Sequence, residues 1–305
     1  MRILVTGVTG QVGGALASRL SSQWGARHEL VAASREVLDL SEPAAIADRL
    51  EELAPDLVVN PAAYTAVDRA EDEKERAFRV NTEAPGAIAR WAAARGVPLV
   101  HFSTDYVFDG SGERPWREDD PTGPLSAYGA SKLAGEDAVR AAGGAHLVVR
   151  TSWVYAARGA NFLRTIARLA GERRELRIVA DQFGAPTSAG VIADAVAGIL
   201  APGGRPLAQR FAAADGLVHV AAAGETSWHG FAVTIVGGLK ARGVPLAVEN
   251  VVPIRTEDYP TKAKRPANSR LDLNRLKRVF GIETPNWDAA LAVDLDRLAA
   301  EFHKA

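Results

Sequence analysis

Tyr128 and Lys132 stand four residues apart in Tyr128-Gly129-Ala130-Ser131-Lys132. On a helix that spacing sets a phenol and an ammonium on one face. A cation beside a phenol lowers its pKa and readies it to give or take a proton near neutral pH. Facing a nicotinamide, such a pair performs the proton half of a hydride transfer. Facing solvent, it is an ordinary half-exposed helix surface. Tyr and Lys at this spacing recur in many helical proteins, so the rest of the chain must decide between the two.

A second pattern supplies the nicotinamide. Thr6-Gly7-Val8-Thr9-Gly10-Gln11-Val12-Gly13 places a glycine at every third position between an expected strand and an expected helix. Glycine permits the tight turn, the close approach of backbone to pyrophosphate and the close packing of helix on sheet. The helix N-terminus then offers free N–H groups and a positive dipole to the phosphates. Gly7, Gly10, Gln11, Val12 and Gly13 are therefore expected against a dinucleotide, the alternative being a turn that is merely rich in glycine. The second strand ends in Ser34-Arg35. A hydroxyl and a guanidinium suit a 2′-phosphate better than a free ribose, although Arg35 stacked on adenine is another use for it. Glu36 follows within reach of a free ribose, so NADPH is the expected cofactor and NADH is admitted. Asp39-Leu40 lie in the next turn, where a carboxylate can accept from the adenine amino group. Asn60-Pro61-Ala62-Ala63 closes the third strand with small residues that let a cofactor lie against the sheet edge. A plain strand-ending turn reads the same. Ala62, Ala63, Tyr64 and Thr65 complete the expected cofactor contacts.

The elements that must position these groups alternate. Short apolar runs at Arg2–Thr6, Glu29–Ser34, Asp56–Asn60, Val97–Ser103 and His146–Thr151 read as strands. Gln11–Ser22, Ala44–Leu53, Thr82–Arg95 and Tyr128–Ala142 read as the helices between them. This rhythm predicts an α/β fold, a Rossmann-type doubly wound parallel sheet covered on both faces. Beyond about Tyr155 the rhythm loosens. Helices are expected at Asn161–Gly171 and Ser188–Leu200, strands at Leu176–Val179 and Val218–Ala221, and a loop at Ala201–Pro206. Proline-rich segments around Pro253, Pro260 and Pro266 follow. The organisation expected is a dinucleotide-binding domain over residues 1–155, to which parts of about 188–222 return. Residues 156–187 and 223–305 then form mainly a smaller, interleaved C-terminal substrate lobe. The acidic run Glu71-Asp72-Glu73, broken by Lys74, reads as a solvated helix face.

Composition excludes other classes. The 305 residues carry 36 Lys and Arg against 37 Asp and Glu, so no basic field recruits nucleic acid or an anionic membrane. No cysteine is present, which removes disulfides, thiolate metal sites and Cys nucleophiles. No apolar run reaches the length of a membrane span. Met1-Arg2 leads straight into Ile3-Leu4-Val5 without a secretory pattern, so the expected location is cytoplasmic.

Gly7-x-x-Gly10-x-x-Gly13, then Ser103-Thr104-Asp105, then Tyr128-x-x-x-Lys132 resemble an extended short-chain dehydrogenase/reductase. Longer strings are similar to the dTDP-4-dehydrorhamnose reductase family. They are Asn60–Asp68, His101–Gly110, Arg150–Tyr155, Asp181-Gln182-Phe183-Gly184-Ala185-Pro186-Thr187 and Arg265-Pro266-Ala267-Asn268-Ser269, and they span nearly the whole chain. The resemblance implies NADPH-dependent reduction of the 4-keto group of dTDP-4-dehydro-L-rhamnose to dTDP-L-rhamnose. It implies Tyr128 as proton donor to the C4 oxygen. Lys132 would hold the nicotinamide ribose and lower the Tyr128 pKa. Thr104 would hydrogen-bond the same oxygen; without the resemblance, Thr104 reads as a strand-end cap. Asp105 and Trp153 are implied as substrate contacts, with a turn residue and lobe packing as their plain alternatives. Asn81 is implied to hold the helix of Tyr128 by backbone contacts, a helix N-cap being equally plausible. Gln182, Arg265 and Asn268 lie in matched strings, without assigned individual roles. Some members of the family use acidic residues to bridge a dimer through magnesium. The corresponding positions here are Ala15 and Gly190, which offer no carboxylate, so no metal is expected. The expected partners are a small sugar-nucleotide substrate, no nucleic acid and no membrane, with the chain a monomer or weak homodimer. Two other readings share the fold. One is a non-catalytic binding subunit, like an animal regulatory relative that carries an N-terminal extension. The other is a reductase, epimerase or dehydratase acting on a different sugar nucleotide.

Overall fold

The computed structural model describes residues 1–24 and 28–302. Its strands in chain order are β1 (Arg2–Thr6), β2 (Glu29–Ala33), β3 (Leu57–Asn60), β4 (Leu99–Thr104), β5 (His146–Thr151), β6 (Val154–Tyr155) and β7 (Glu175–Val179). They continue as β8 (Phe183–Gly184), β9 (Thr187–Ser188), β10 (Leu217–His219), β11 (Thr226–Ser227) and β12 (Asn250–Ile254). The first six helices are α1 (Gln11–Trp24), α2 (Ile46–Leu53), α3 (Val67–Ala70), α4 (Lys74–Phe78), α5 (Ala84–Arg95) and α6 (Ala127–Ala141). The others are α7 (Phe162–Glu172), α8 (Ala189–Leu200), α9 (Leu207–Ala212), α10 (Trp228–Ala241), α11 (Asn274–Phe280) and α12 (Trp287–Phe302).

The main sheet is parallel throughout, in the order β10-β5-β4-β3-β1-β2. Its strands bury both faces, as a parallel sheet requires. Ile3 and Val5 pack with α1 and α8 on one side, while Leu4 packs with α2 and α5 on the other. The order reverses between β1 and β3, and ligands of open α/β sheets lie outside the carboxyl ends of strands at such a point. The register sets Thr104 beside Thr151 at the ends of β4 and β5. A separate core lies in α7, α10 and α12 with β7 and β12, built on Leu163, Ile166, Phe231, Ile235, Leu291 and Leu295.

The strands Arg2–Thr6 and His146–Thr151 match expectation, and the others differ from it by one or two residues at an end. Larger differences arise where tertiary packing overrides local preference. The helix expected from Thr82 begins as a π-helical segment, Arg79–Glu83, before α5. Such segments occur often at functional sites. The helix α10 contains Gly230, Gly237, Gly238 and a β-branched run, a weak helix former. It forms because Phe231, Ala232, Ile235, Val236 and Leu239 make one buried stripe, and because the Ser227 hydroxyl accepts from Gly230 N at 3.0 Å.

Candidate active site

The helix α6 carries Tyr128 and Lys132, and its start is fixed twice. Ser126 Oγ accepts from Gly129 N at 3.2 Å, and Glu71 Oε1 accepts from Ala127 N at 2.8 Å. The acidic run forms the turn between α3 and α4 rather than a helix face, with Asp72 exposed and Glu71 and Glu73 half-buried. Glu71 caps α6, Asp72 pairs with Lys262, and Glu73 accepts from the Tyr64 hydroxyl at 3.1 Å while pairing with Arg69 and Arg76. Ala127 and Lys262 come from distant stretches of chain, so no local pattern announces them, whereas Arg69 and Arg76 stand at helical spacing from Glu73. Asn81, inside the π-helical segment, caps nothing by its side chain. Its Oδ1 accepts from Tyr64 N at 2.8 Å, and its Nδ2 donates to Tyr64 O and to Ser131 Oγ, both at 3.0 Å. Thr82 Oγ1 donates to Ser131 O at 2.8 Å. One short segment thus ties the Ala62–Thr65 stretch to α6.

Tyr128 is half-buried and Lys132 is 2% exposed. Lys132 Nζ donates to the Phe102 carbonyl at 2.6 Å, beneath the end of β4. Burial pushes the Lys132 ammonium down to about 8, against the pull of Glu136. The expected lowering of the Tyr128 pKa is not found. Burial pushes the phenol up to about 12, with the Thr104 hydroxyl pulling the other way and Asp105 adding to the rise. The cation answers to a carbonyl rather than to the phenol, so desolvation prevails. A phenol so placed holds its proton at neutral pH and is a donor. Thr104 Oγ1 accepts from Tyr106 N at 3.2 Å, capping the short turn Asp105–Val107, and donates to Asp105 Oδ1 at 3.1 Å. Cap and Tyr128 neighbour are one and the same hydroxyl. Burial pushes the Asp105 carboxyl up to about 7, with the Ser269 and Thr104 hydroxyls opposing.

The glycine turn fits a dinucleotide phosphate. Gly7 has φ +59°, and a Cβ there would lie 2.9 Å from Ala62 Cβ. A Cβ on Gly13 would lie 2.8 Å from the Thr6 carbonyl oxygen and closer still to that of Gly7, so the helix can sit this near the strand only without one. Gln11 and Val12 open α1, whose first turn holds no acidic residue to cancel its positive end. Thr6 Oγ1 donates to Asn60 Oδ1 at 2.6 Å and accepts from Ala62 N at 3.3 Å, which fixes Ala62 and Ala63 over the turn. Tyr64 is half-buried and Thr65 exposed. Arg35 lies on the surface after β2, donating to Asp39 Oδ2 and Ser41 Oγ, each at 3.1 Å. Asp39 also accepts from Ser41 N and Oγ at its Oδ1, at 2.8 and 2.7 Å. Leu40 puts its side chain in the core, leaving only backbone for a cofactor.

Trp153 is 9% exposed, with a left-handed φ of +47°, a conformation that costs a non-glycine residue about 1 kcal/mol or more. Its ring stacks on Trp228, centroids 3.6 Å apart, and a Cβ on Gly184 would lie 2.7 Å from its Cε2. With both faces covered, the indole has its edge to offer. Gln182 donates to Thr256 Oγ1 at 3.1 Å, and Arg265 pairs with Asp68 at 2.7 Å. Asn268 donates to the carbonyls of Ser111 and Arg114 and accepts from Arg270 N, which makes it a loop clamp.

Polar atoms buried without a hydrogen-bond partner include Ser103 Oγ, Asp105 Oδ2, Thr151 Oγ1 and Ser152 Oγ, all at the ends of β4 and β5, together with Ser269 Oγ. Hydroxyls and a carboxyl in that condition suit a polyhydroxylated ligand. Sequence reasoning missed Ser269 as a neighbour of Asp105. It also missed the buried ion pair of Glu136 and Arg150, 2.7 Å apart with side chains 0% and 3% exposed. Glu136 one turn past Lys132, and a lone Arg ending the apolar Leu147-Val148-Val149, were the available signals. Among the described residues no cluster of three His, Cys, Asp or Glu could hold a metal ion, and no helix is long and apolar enough to cross a membrane.

Residues 1–300 match the family described as RmlD substrate binding domain. A dTDP-4-dehydrorhamnose reductase of Burkholderia thailandensis is 51% identical over 295 residues, 96% of this chain and 97% of that protein. The crystal structure of a dTDP-4-dehydrorhamnose reductase from Clostridium acetobutylicum superposes with TM-score 0.86 at 34% identity, covering 98% of this chain and 99% of that one. One from Bacillus anthracis, in complex with NADP, gives TM-score 0.85 at 31% identity, covering 97% and 99%. With this coverage and a site built on the same fold, the chain belongs to the RmlD substrate binding domain family, among proteins named dTDP-4-dehydrorhamnose reductase.

Proposed function

We propose that the chain reduces the 4-keto group of dTDP-4-dehydro-L-rhamnose to give dTDP-L-rhamnose with NADPH, the closing step in making that activated sugar. The observation that carries this reading is the meeting of Thr104 and Tyr128 at the carboxyl end of β4 in a member of this family. Bound NADPH supplies hydride to C4. The Tyr128 phenol gives its proton to the C4 oxygen as charge develops there. Thr104 hydrogen-bonds the same oxygen and stabilises that charge. Lys132 reaches the ribose beside the nicotinamide from its buried seat on α6. Gly7, Gly10, Gln11, Val12 and Gly13 receive the pyrophosphate, Arg35 the 2′-phosphate, and Ala62–Thr65 the nicotinamide half. Asp105 and the Trp153 edge receive the sugar. Residues 1–155 with about 188–222 serve the dinucleotide, and 156–187 with 223–305 serve the sugar nucleotide. The chain works in the cytoplasm as a monomer or weak homodimer.

The test supplies dTDP-4-dehydro-L-rhamnose generated in situ and follows NADPH loss by its near-ultraviolet absorbance. Turnover with NADPH, and weaker turnover with NADH, is expected. No turnover with either cofactor sinks the assignment.

A further inference from the structure

Thr104 has a single hydroxyl hydrogen, and its oxygen has several claimants. Tyr106 N donates to Oγ1 at 3.2 Å, the Tyr128 phenol touches it, and Asp105 Oδ1 lies 3.1 Å away. An ionised Asp105 can only accept. It would hold the Thr104 hydrogen and leave none for a substrate oxygen gaining charge. A protonated Asp105 can donate to Oγ1 instead, which then accepts from Tyr106 N and Asp105 and releases its own hydrogen outward. The surroundings favour the neutral acid. Asp105 is 2% exposed, and the side chains acting on it are the hydroxyls of Ser269 and Thr104 rather than a cation. A carboxyl buried without a cation avoids its charged form.

We infer that Asp105 is a positioning residue acting through Thr104: protonated, it donates to Thr104 Oγ1 and turns the one Thr104 hydrogen onto the C4 oxygen of the substrate. This rests on the reductase reading, which sets that oxygen between Thr104 and Tyr128. Burial brings the ionisation of Asp105 to about 7, inside the working range of an enzyme. Its titratable neighbours do not share that window. Tyr106 on the same turn and Tyr128 on α6 are both pushed up by burial and stay neutral. Arg265 and Asp68, which act on Tyr106, neutralise each other as a pair. Lys132, bonded to Phe102 O, loses its proton only near 8.

The experiment is the pH profile of kcat/KM for the full chain, which reports ionisations of the free enzyme. Wild type loses activity as pH rises through about 7, as Asp105 ionises. Loss of a donor to a developing oxyanion lowers kcat, and kcat/KM with it, by up to ~10²–10³-fold. Asp105→Asn keeps an N–H donor toward Thr104, so its profile loses that limb and first falls near 8, where Lys132 titrates. Ser269→Ala removes a hydroxyl that favours the carboxylate, and moves the limb to higher pH. Superposable wild-type and Asp105→Asn profiles overturn the proposal, as does an unmoved limb in Ser269→Ala. A readout without turnover separates the two readings. The folded chain holds the Asp105 proton above the unfolded value of 3.8, so the Asp105 contribution to stability is lost as pH rises from about 4 to about 7. Buried Glu118 acts in the same sense and buried His101 and His219 in the opposite one, so the readout is the difference in melting temperature between Asp105→Asn and wild type, which must change across that window. A difference that does not vary with pH overturns the inference whatever the activity, whereas a wild type with no turnover sinks the reductase reading itself.

Discussion

Replacing Glu136 by Gln leaves the Arg150 guanidinium buried beside a neutral partner. Two charge-assisted bonds hold the native pair, Nη2 to Oε2 at 2.7 Å and Nε to Oε1 at 2.9 Å. The cation also lies 5.0 Å over the Phe108 ring, and its other contact is the Glu118 carbonyl at 3.4 Å. Water cannot compensate, since the two side chains are 3% and 0% exposed. Breaking a buried pair from one side costs about 3–5 kcal/mol. Gln keeps one acceptor, so Glu136→Gln belongs at about 3 kcal/mol and Glu136→Ala at about 5 kcal/mol. Either is a large share of a total stability of about 5–15 kcal/mol. Urea unfolding, compared at equal m, measures the loss. The double variant Glu136→Leu with Arg150→Met should recover most of it, because no charge is then left unpaired. A second signal lies in the site. Glu136 is one turn past Lys132 and favours its charged form, so Glu136→Gln moves the Lys132 limb of kcat/KM below about 8. A loss under about 1 kcal/mol, the worth of an exposed pair, would refute the reasoning. So would a double variant no more stable than the single one.

Tyr128→Phe should lower kcat by ~10²–10⁴-fold, the contribution of a positioned proton donor, with NADPH affinity by fluorescence titration near wild type. A fully active variant removes Tyr128 as the acid. Arg35→Ala should raise KM for NADPH more than for NADH. Equal rises would mean that Arg35 serves only the Asp39–Ser41 turn it already braces. Gly13→Ala forces a Cβ against the Thr6 and Gly7 carbonyls and pushes α1 off the sheet. Overpacking of this kind costs about 1–3 kcal/mol, and both melting temperature and NADPH affinity should fall; a variant matching wild type in both removes the close approach as the reason for that glycine.

What the sequence made legible is what lies close along the chain. The sheet follows from alternating apolar runs, the phosphate turn from three glycines, and the Tyr128 and Lys132 pair from a helical repeat. Ser126 three residues before Gly129 is a cap readable from spacing alone. Glu71 is not, because its partner, Ala127 N, is 56 positions away. The bonds of Asn81 reach as far, to Tyr64 and Ser131, and only the family resemblance pointed to its hold on α6. The same limit hid α10, which local propensity disfavours and a buried apolar stripe creates.

The direction of the Tyr128 shift shows why proximity on a helix is not enough to infer a pKa. Four residues of spacing put the ammonium and the phenol on one face, yet Lys132 Nζ turns inward to Phe102 O and leaves desolvation to dominate. For an acid in reduction this is no defect. A phenol at about 12 is loaded with its proton at every physiological pH, so reduction needs no prior protonation step. The reverse oxidation needs the phenolate, which burial makes scarce. A fall in kcat/KM near 7 must then come from a group other than Tyr128, and the buried carboxyl of Asp105 is the one bonded to Thr104.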